Sequence, residues 1–158
     1  MNVAGEVEVE SVSEVRVHSD RFGDFTVPED KVLTLPEGLI GFPNCHSFVI
    51  MEHRTPSLLR WLLCLDEPDL AFAVADPSDF FPDYRVWPHE ELDGLGLERA
   101  DDVAVLAIIT IPGDPSAMSA NLMAPVVVNV GTRVARQIIL DNGLYSTRHP
   151  LLGPSVQG

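Results

Sequence analysis

Positive charge is scarce in this chain. Ten Lys and Arg stand against twenty-four Asp and Glu in 158 residues, a formal charge of −14. Direct RNA or DNA binding needs a basic patch, and no segment supplies one. Cysteine is nearly as rare, with only Cys45 and Cys64. Neither sits in a CxxC, and the five histidines form no HxH or HExxH, so a metal site has no support at ligand spacing. A GxSxG elbow, a P-loop and a complete dinucleotide fingerprint are all missing, and "DGLGLE" lacks the third glycine. The adjacent acids Asp101 and Asp102 would point to opposite faces of a strand, so they form no acid–base dyad. Catalysis, a metal and a cofactor are therefore not expected. No apolar run approaches the ~18 residues of a membrane span. The start "MNVAGEVEVESVSEV" has neither a basic region nor an apolar one, unlike a signal peptide. The expectation is a cytoplasmic protein with free thiols.

What is present is a series of short strand-like runs. "VRVHS", "GDFTV", "KVLTL", "HSFVIME", "LLRWLLCL", "LAFAVAD", "VAVLAIITI", "PVVVNV" and "VARQIIL" follow one another, with a possible last strand at "GLYSTR". Thirteen prolines and eleven glycines punctuate them. Many short strands with such turn signals predict an all-β, antiparallel, barrel-like domain. Helical signals are few. "DPSDFFPDY" allows a turn or so, with Ser78 or Asp79 as cap, before Pro82 ends it. "WPHEELDGL" predicts a short helix with Pro88 in its first turn, closed by Gly94. The domain is expected over 15–152, with an acidic, poorly ordered extension over 1–14 and a tail over 153–158.

The acids are unevenly spread. Residues 66–102 hold twelve acids against Arg85 and Arg99, a net −10. Such a block fits a basic partner, repulsion of a polyanion, or simply a solvated surface. In "NLMAPVVVNVGTRVARQIIL", Pro125 marks a strand start. Val126 and Val128 share one face, and Val127 shares the other with Asn129. "GTR" then turns the chain back into "VARQIIL". Asn129 is unusual in a strand; it either ties down nearby backbone or faces something outside the chain.

Three stretches together resemble a known family. "FGDFTVPEDKVLTLPEGLIGFPNCHSFVI" looks like the opening of the FliW flagellar assembly factors. "DEPDLAFAVADPSDFFPDY" resembles their central acidic and apolar signature, with Ala71, Phe72, Asp76, Pro77 and Tyr84 in place. "NLMAPVVVN", followed by "QIIL" and Tyr145, resembles their most diagnostic stretch. The likeness spans about Val15 to Leu152. It departs at "LLRWLLCL", where a Gln-Ser pair is usual, and at Ile40, a place often held by proline.

The resemblance implies a non-enzymatic, cytoplasmic, β-barrel-like protein, monomeric until a partner arrives. It implies binding to the translational repressor CsrA and, competitively, to flagellin. Free of flagellin, such a protein holds the repressor off flagellin messenger RNA; flagellin occupies it and releases the repressor. It also implies protection of flagellin before export. The charge distribution fits. Acids set beside a repressor's Lys and Arg would repel RNA phosphates, if they lie within the ~8 Å screening length of physiological salt. Asp76, Asp79, Asp83, Glu90 and Glu91 are the candidates for that surface. Asn121 and Asn129 are expected to bracket a strand whose ends lie near a binding edge, where β-augmentation by flagellin would fit. Other readings stay open: a β-barrel module that binds a different secreted or regulatory protein, and a small β-barrel enzyme.

Overall fold

A computed structural model describes residues 13–20, 22–52, 57–86, 92–141 and 143–151. Its strands are β1 (Glu14–Ser19), β2 (Gly23–Pro28), β3 (Leu33–Thr34), β4 (Ser47–Glu52), β5 (Arg60–Cys64), β6 (Ala71–Ala75), β7 (Val103–Thr110), β8 (Ser119–Ala120), β9 (Val126–Asn129), β10 (Ala135–Gln137) and β11 (His149–Pro150). β1 and β2 form a separate antiparallel hairpin. The rest make one nine-stranded sheet in the order β10-β9-β7-β6-β5-β4-β3, with β8 attached to β7 and β11 to β8.

Every ladder is antiparallel. The sheet curls until its two end strands touch at a single parallel bridge, Thr34 to Val134, where the Thr34 N–H donates to the Arg133 carbonyl at 2.9 Å. One bridge does not close a barrel, so the fold is barrel-like and open. That agrees with the architecture read from the sequence.

Alternation sorts the side chains into three cores. Val126 and Val128 point inside the curl with Leu33, Leu35, Phe48, Leu62, Cys64, Val74 and Leu106. Val127, on the other face, packs with Tyr84, Leu92, Leu95, Leu122, Ile138 and Leu140. A smaller cluster of Val17, Val27, Val49 and Leu63 fastens the β1–β2 hairpin to the sheet. The central strands are covered on both sides, which is why "VVV" reads as a continuous apolar run. Phe48 and Leu62 are fully buried, and each such side chain contributes about 1.5–3 kcal/mol.

Some local expectations need correction. Residues 143–148 form no strand; the last strand is β11, which begins at the next residue, His149. β8 was not anticipated at all. The turn after β6 is one turn of 3-10 helix, Pro77–Asp79, and its cap is Asp76 rather than Ser78 or Asp79. Most of the helix expected around Pro88, including Glu90 and Glu91, lies outside the described residues, as do most of the 1–14 extension and the whole 153–158 tail.

Candidate partner-binding surfaces

The acidic segment has two kinds of carboxylate. Some are spent on the chain itself. Asp66 Oδ2 accepts from the N–H groups of His46 and Ser47 at 2.7 and 2.9 Å, tying the β5–β6 turn to β4. Asp69 Oδ1 accepts from the Asp20 N–H at 2.8 Å and joins that turn to the β1–β2 hairpin. Asp76 is half-buried, and its Oδ1 takes both the N–H and the hydroxyl of Ser78, at 2.9 and 2.7 Å. Asp102 Oδ2 accepts from the N–H groups of Glu98 and Arg99, which hold its carboxyl below the usual carboxylate value.

Asp79 and Asp83 are different. Both are exposed, and neither carboxylate has a hydrogen-bond or ion-pair partner among the described residues. The neighbouring cation does not neutralise them: Arg85 Nη1 donates to the carbonyls of Pro82 and Tyr84, both at 2.8 Å. The loop that carries these acids is anchored by aromatics. The Tyr84 hydroxyl donates to the buried Leu122 carbonyl at 2.7 Å, its ring sits edge-on to Tyr145 at 4.7 Å, and Phe81 stacks edge-on to His149 at 5.0 Å. Burial pushes the Tyr84 phenol above its ordinary value, so it stays a neutral donor. Two unspent negative charges on an anchored loop can meet a basic surface with little ordering cost.

Of the two readings of the asparagines, the backbone-tying one matches their hydrogen bonds. Asn129 is buried; its Nδ2 donates to the Leu95 carbonyl at 2.7 Å, and its Oδ1 accepts from Gly131 and Thr132 at 2.9 and 3.2 Å. Asn121 Oδ1 accepts from the Ala124 N–H at 3.0 Å. β9 runs between β7 and β10, so its ends border no free edge. Both amides hydrogen-bond nearby backbone, and β10 ends the sheet's main path with an open outer edge past its bridge to Thr34.

Sequence reasoning also passed over the mouth of the curled sheet. A cleft of about 920 Å³ opens there, lined by Leu33, Val49, Leu106 and Val128 and rimmed by Lys31, Arg60 and Arg133 with Asp30, Glu52 and Asp76. Arg133 sits at φ 61°, and its buried Nε has no hydrogen-bond partner among the described residues. No cluster of three metal-ligating side chains occurs among the described residues.

Comparison with known proteins agrees with this architecture. The family model described as FliW protein matches residues 16–151. The flagellar assembly factor FliW of Syntrophotalea carbinolica is 41% identical over 132 residues, covering 83% of this chain and 94% of that protein. Its counterpart in Leptospira interrogans serogroup Icterohaemorrhagiae serovar Lai is 36% identical over 140 residues, covering 87% and 93%. The crystal structure of a flagellar assembly factor FliW superposes with a TM-score of 0.80 at 30% identity, over 90% of this chain and all of the other. A match over that length, in sequence and in fold, means that the chain belongs to the FliW family.

Proposed function

We propose that this protein acts in flagellar assembly, binding the repressor CsrA and flagellin in turn and carrying no catalytic activity. Its relatives are named as flagellar assembly factors, which supports the broader half of the reading. The observation that carries the finer half is the pair of unspent carboxylates, Asp79 and Asp83, on an aromatic-anchored loop within a segment of net charge −10.

The mechanism follows from charge. A repressor that binds RNA offers Lys and Arg to phosphates, and that attraction is the main sequence-independent part of its affinity. Asp79 and Asp83 supply competing partners for those cations and raise the local negative potential that RNA must approach. Flagellin occupying the protein then frees the repressor to return to its message, so the flagellin pool sets its own synthesis. Acting in the cytoplasm, the protein also shields flagellin before export.

The test is a titration of the protein into a complex of CsrA with flagellin leader RNA, at two salt concentrations, with and without flagellin. RNA release that weakens with salt and is reversed by flagellin supports the proposal. Release that ignores salt leaves the antagonist role but replaces the electrostatic mechanism with steric exclusion. No release at any ratio overturns the antagonist role.

A further inference from the structure

The outer edge of β10 is open where the apolar interior reaches the surface. Val134, Ile138 and Leu140 turn their backbones inward: the Val134 carbonyl accepts from Asn129, and Ile138 and Leu140 donate to Pro125 and Met123 at 3.0 and 2.7 Å. Alternation then turns Gln137 and Ile139 outward. The bridge to Thr34 uses the edge only at its beginning. Past it, the outward N–H and C=O of Gln137 and Ile139 have no backbone partner among the described residues.

Large apolar side chains are exposed on the strand's extension and on the turn that Gln137 binds. Ile40 is 58% exposed, Ile139 45% and Phe42 38%. They are held there. The Gln137 side chain accepts from the Ile40 N–H at 2.7 Å and donates to the Ala124 carbonyl at 2.9 Å, clamping the 38–42 turn against the strand. Phe42 stacks edge-on to the half-buried Phe72 at 5.2 Å. Gly38, at φ 72°, lies so close to Phe42 that a Cβ would meet its carbonyl oxygen at 2.7 Å, so the turn admits no side chain there. An unpaired edge beside exposed apolar groups is a template for another strand.

Charge selects the occupant. Glu37, three residues before Ile40, and Asp141, two residues after Ile139, are exposed. The nearest strand cation, Arg136, points to the opposite side, where Nη1 donates to the Asp93 carbonyl at 3.0 Å. A second copy of this −14 chain would set acids against acids. We infer that the β10 edge docks an extended client segment of alternating apolar and basic residues, its backbone pairing with Gln137 and Ile139. This rests on the function proposed above, in which the client is flagellin.

The experiment measures flagellin binding and, separately, CsrA binding for the wild type, for Ile40→Asp with Ile139→Asp, and for Asp141→Lys. Thermal melts of the same variants confirm folding. The double variant is expected to weaken flagellin binding about tenfold or more, and Asp141→Lys severalfold, while CsrA binding stays unchanged. Hydrogen exchange is expected to show the Ile139 amide protected on flagellin binding. Folded variants that bind flagellin like the wild type, or an unprotected Ile139 amide, overturn this inference alone. Wild-type protein that binds no flagellin overturns the proposed function and this inference with it. A wild-type dimer that the double variant dissociates gives the edge to a second copy and overturns the client assignment.

Discussion

The side-chain amide of Asn129 donates to the carbonyl of Leu95 across 34 residues of sequence, at 2.7 Å. That bond joins the end of β9 to the loop behind it, while the amide oxygen of the same residue shapes the turn into β10 through Gly131 and Thr132. Asn129→Ala leaves the carbonyl of buried Leu95 and two turn N–H groups without their partner, and an unsatisfied buried group costs about 1–3 kcal/mol. The expected loss is roughly 2–4 kcal/mol in chemical unfolding, with an unchanged denaturant slope. A variant of wild-type stability that no longer binds flagellin would show that Asn129 serves a partner after all.

Charge reversal at Asp79 and Asp83 should behave in the opposite way. Both side chains are exposed and spent on nothing among the described residues, so stability should stay within about 0.5 kcal/mol of wild type. Antagonism of the repressor should fall, and its salt dependence should flatten. Reversal of Asp66 or Asp69, whose oxygens hold backbone amides, would confuse folding with binding.

These contrasts show where sequence was informative. The alternating run "VRVHS" announces a strand because every second residue reports its face, and "VAVLAIITI" does so as a short apolar, β-branched run bounded by turn residues. β8 and β11 have two residues each, too few to display a period, and they exist because partners elsewhere in the chain supply the hydrogen bonds. The same limit explains the asparagine. Whether β9 is central or an edge depends on which strands flank it, and that pairing is non-local. Exposure at Ile40, Phe42 and Ile139 was equally illegible, since apolar residues in a β protein read as core until the topology leaves them outside. The family stretches were legible because turn glycines and the cap Asp76 are local requirements of the fold.

Acid should loosen one particular turn. The amides of Glu98 and Arg99 lower the Asp102 carboxyl below its ordinary value, with a smaller contribution from the Arg99 charge. A carboxyl lowered on folding stabilises the protein above its unfolded pKa, and that contribution disappears as pH falls through the lower, folded value. The wild type is thus expected to lose stability on acidification below about pH 4. Asp102→Asn should be less stable at neutral pH and show a shallower acid limb in urea titrations from pH 7 to pH 2. An acid limb identical in the two proteins would assign the effect elsewhere.

The cysteines should be inert in the folded chain. Burial, and then a hydrogen bond with Cys45, push the Cys64 thiol up to about 12, so the thiolate is scarce at pH 8. Both side chains are buried. An aromatic disulfide reagent at pH 8 should label neither site on a minutes timescale and should label both at once in 6 M urea, the concentration being about that needed for full unfolding. Rapid labelling of native protein would show that the 38–45 turn opens over Cys45.

Arg133 offers a stabilising substitution. It is the single non-glycine residue described at positive φ, 61°, where a bulky side chain costs on the order of 1–3 kcal/mol. The geometry is imposed from both sides: its N–H donates to the Asn129 carbonyl at 2.7 Å, and its own carbonyl takes the Thr34 N–H that joins the two ends of the sheet. Both bonds belong to the backbone, so they survive a change of side chain. Arg133→Asn keeps them, suits the left-handed conformation, and removes a buried Nε without a partner among the described residues. The expected gain is about 1 kcal/mol, seen as a higher urea midpoint at constant slope and a melting point raised by roughly 2–4 °C. A loss of stability would mean that the arginine stem packs the cleft wall against Val128 and Val130 more strongly than the turn resists it. A gain coupled to weaker CsrA or flagellin binding would mark the strained turn as part of a binding surface.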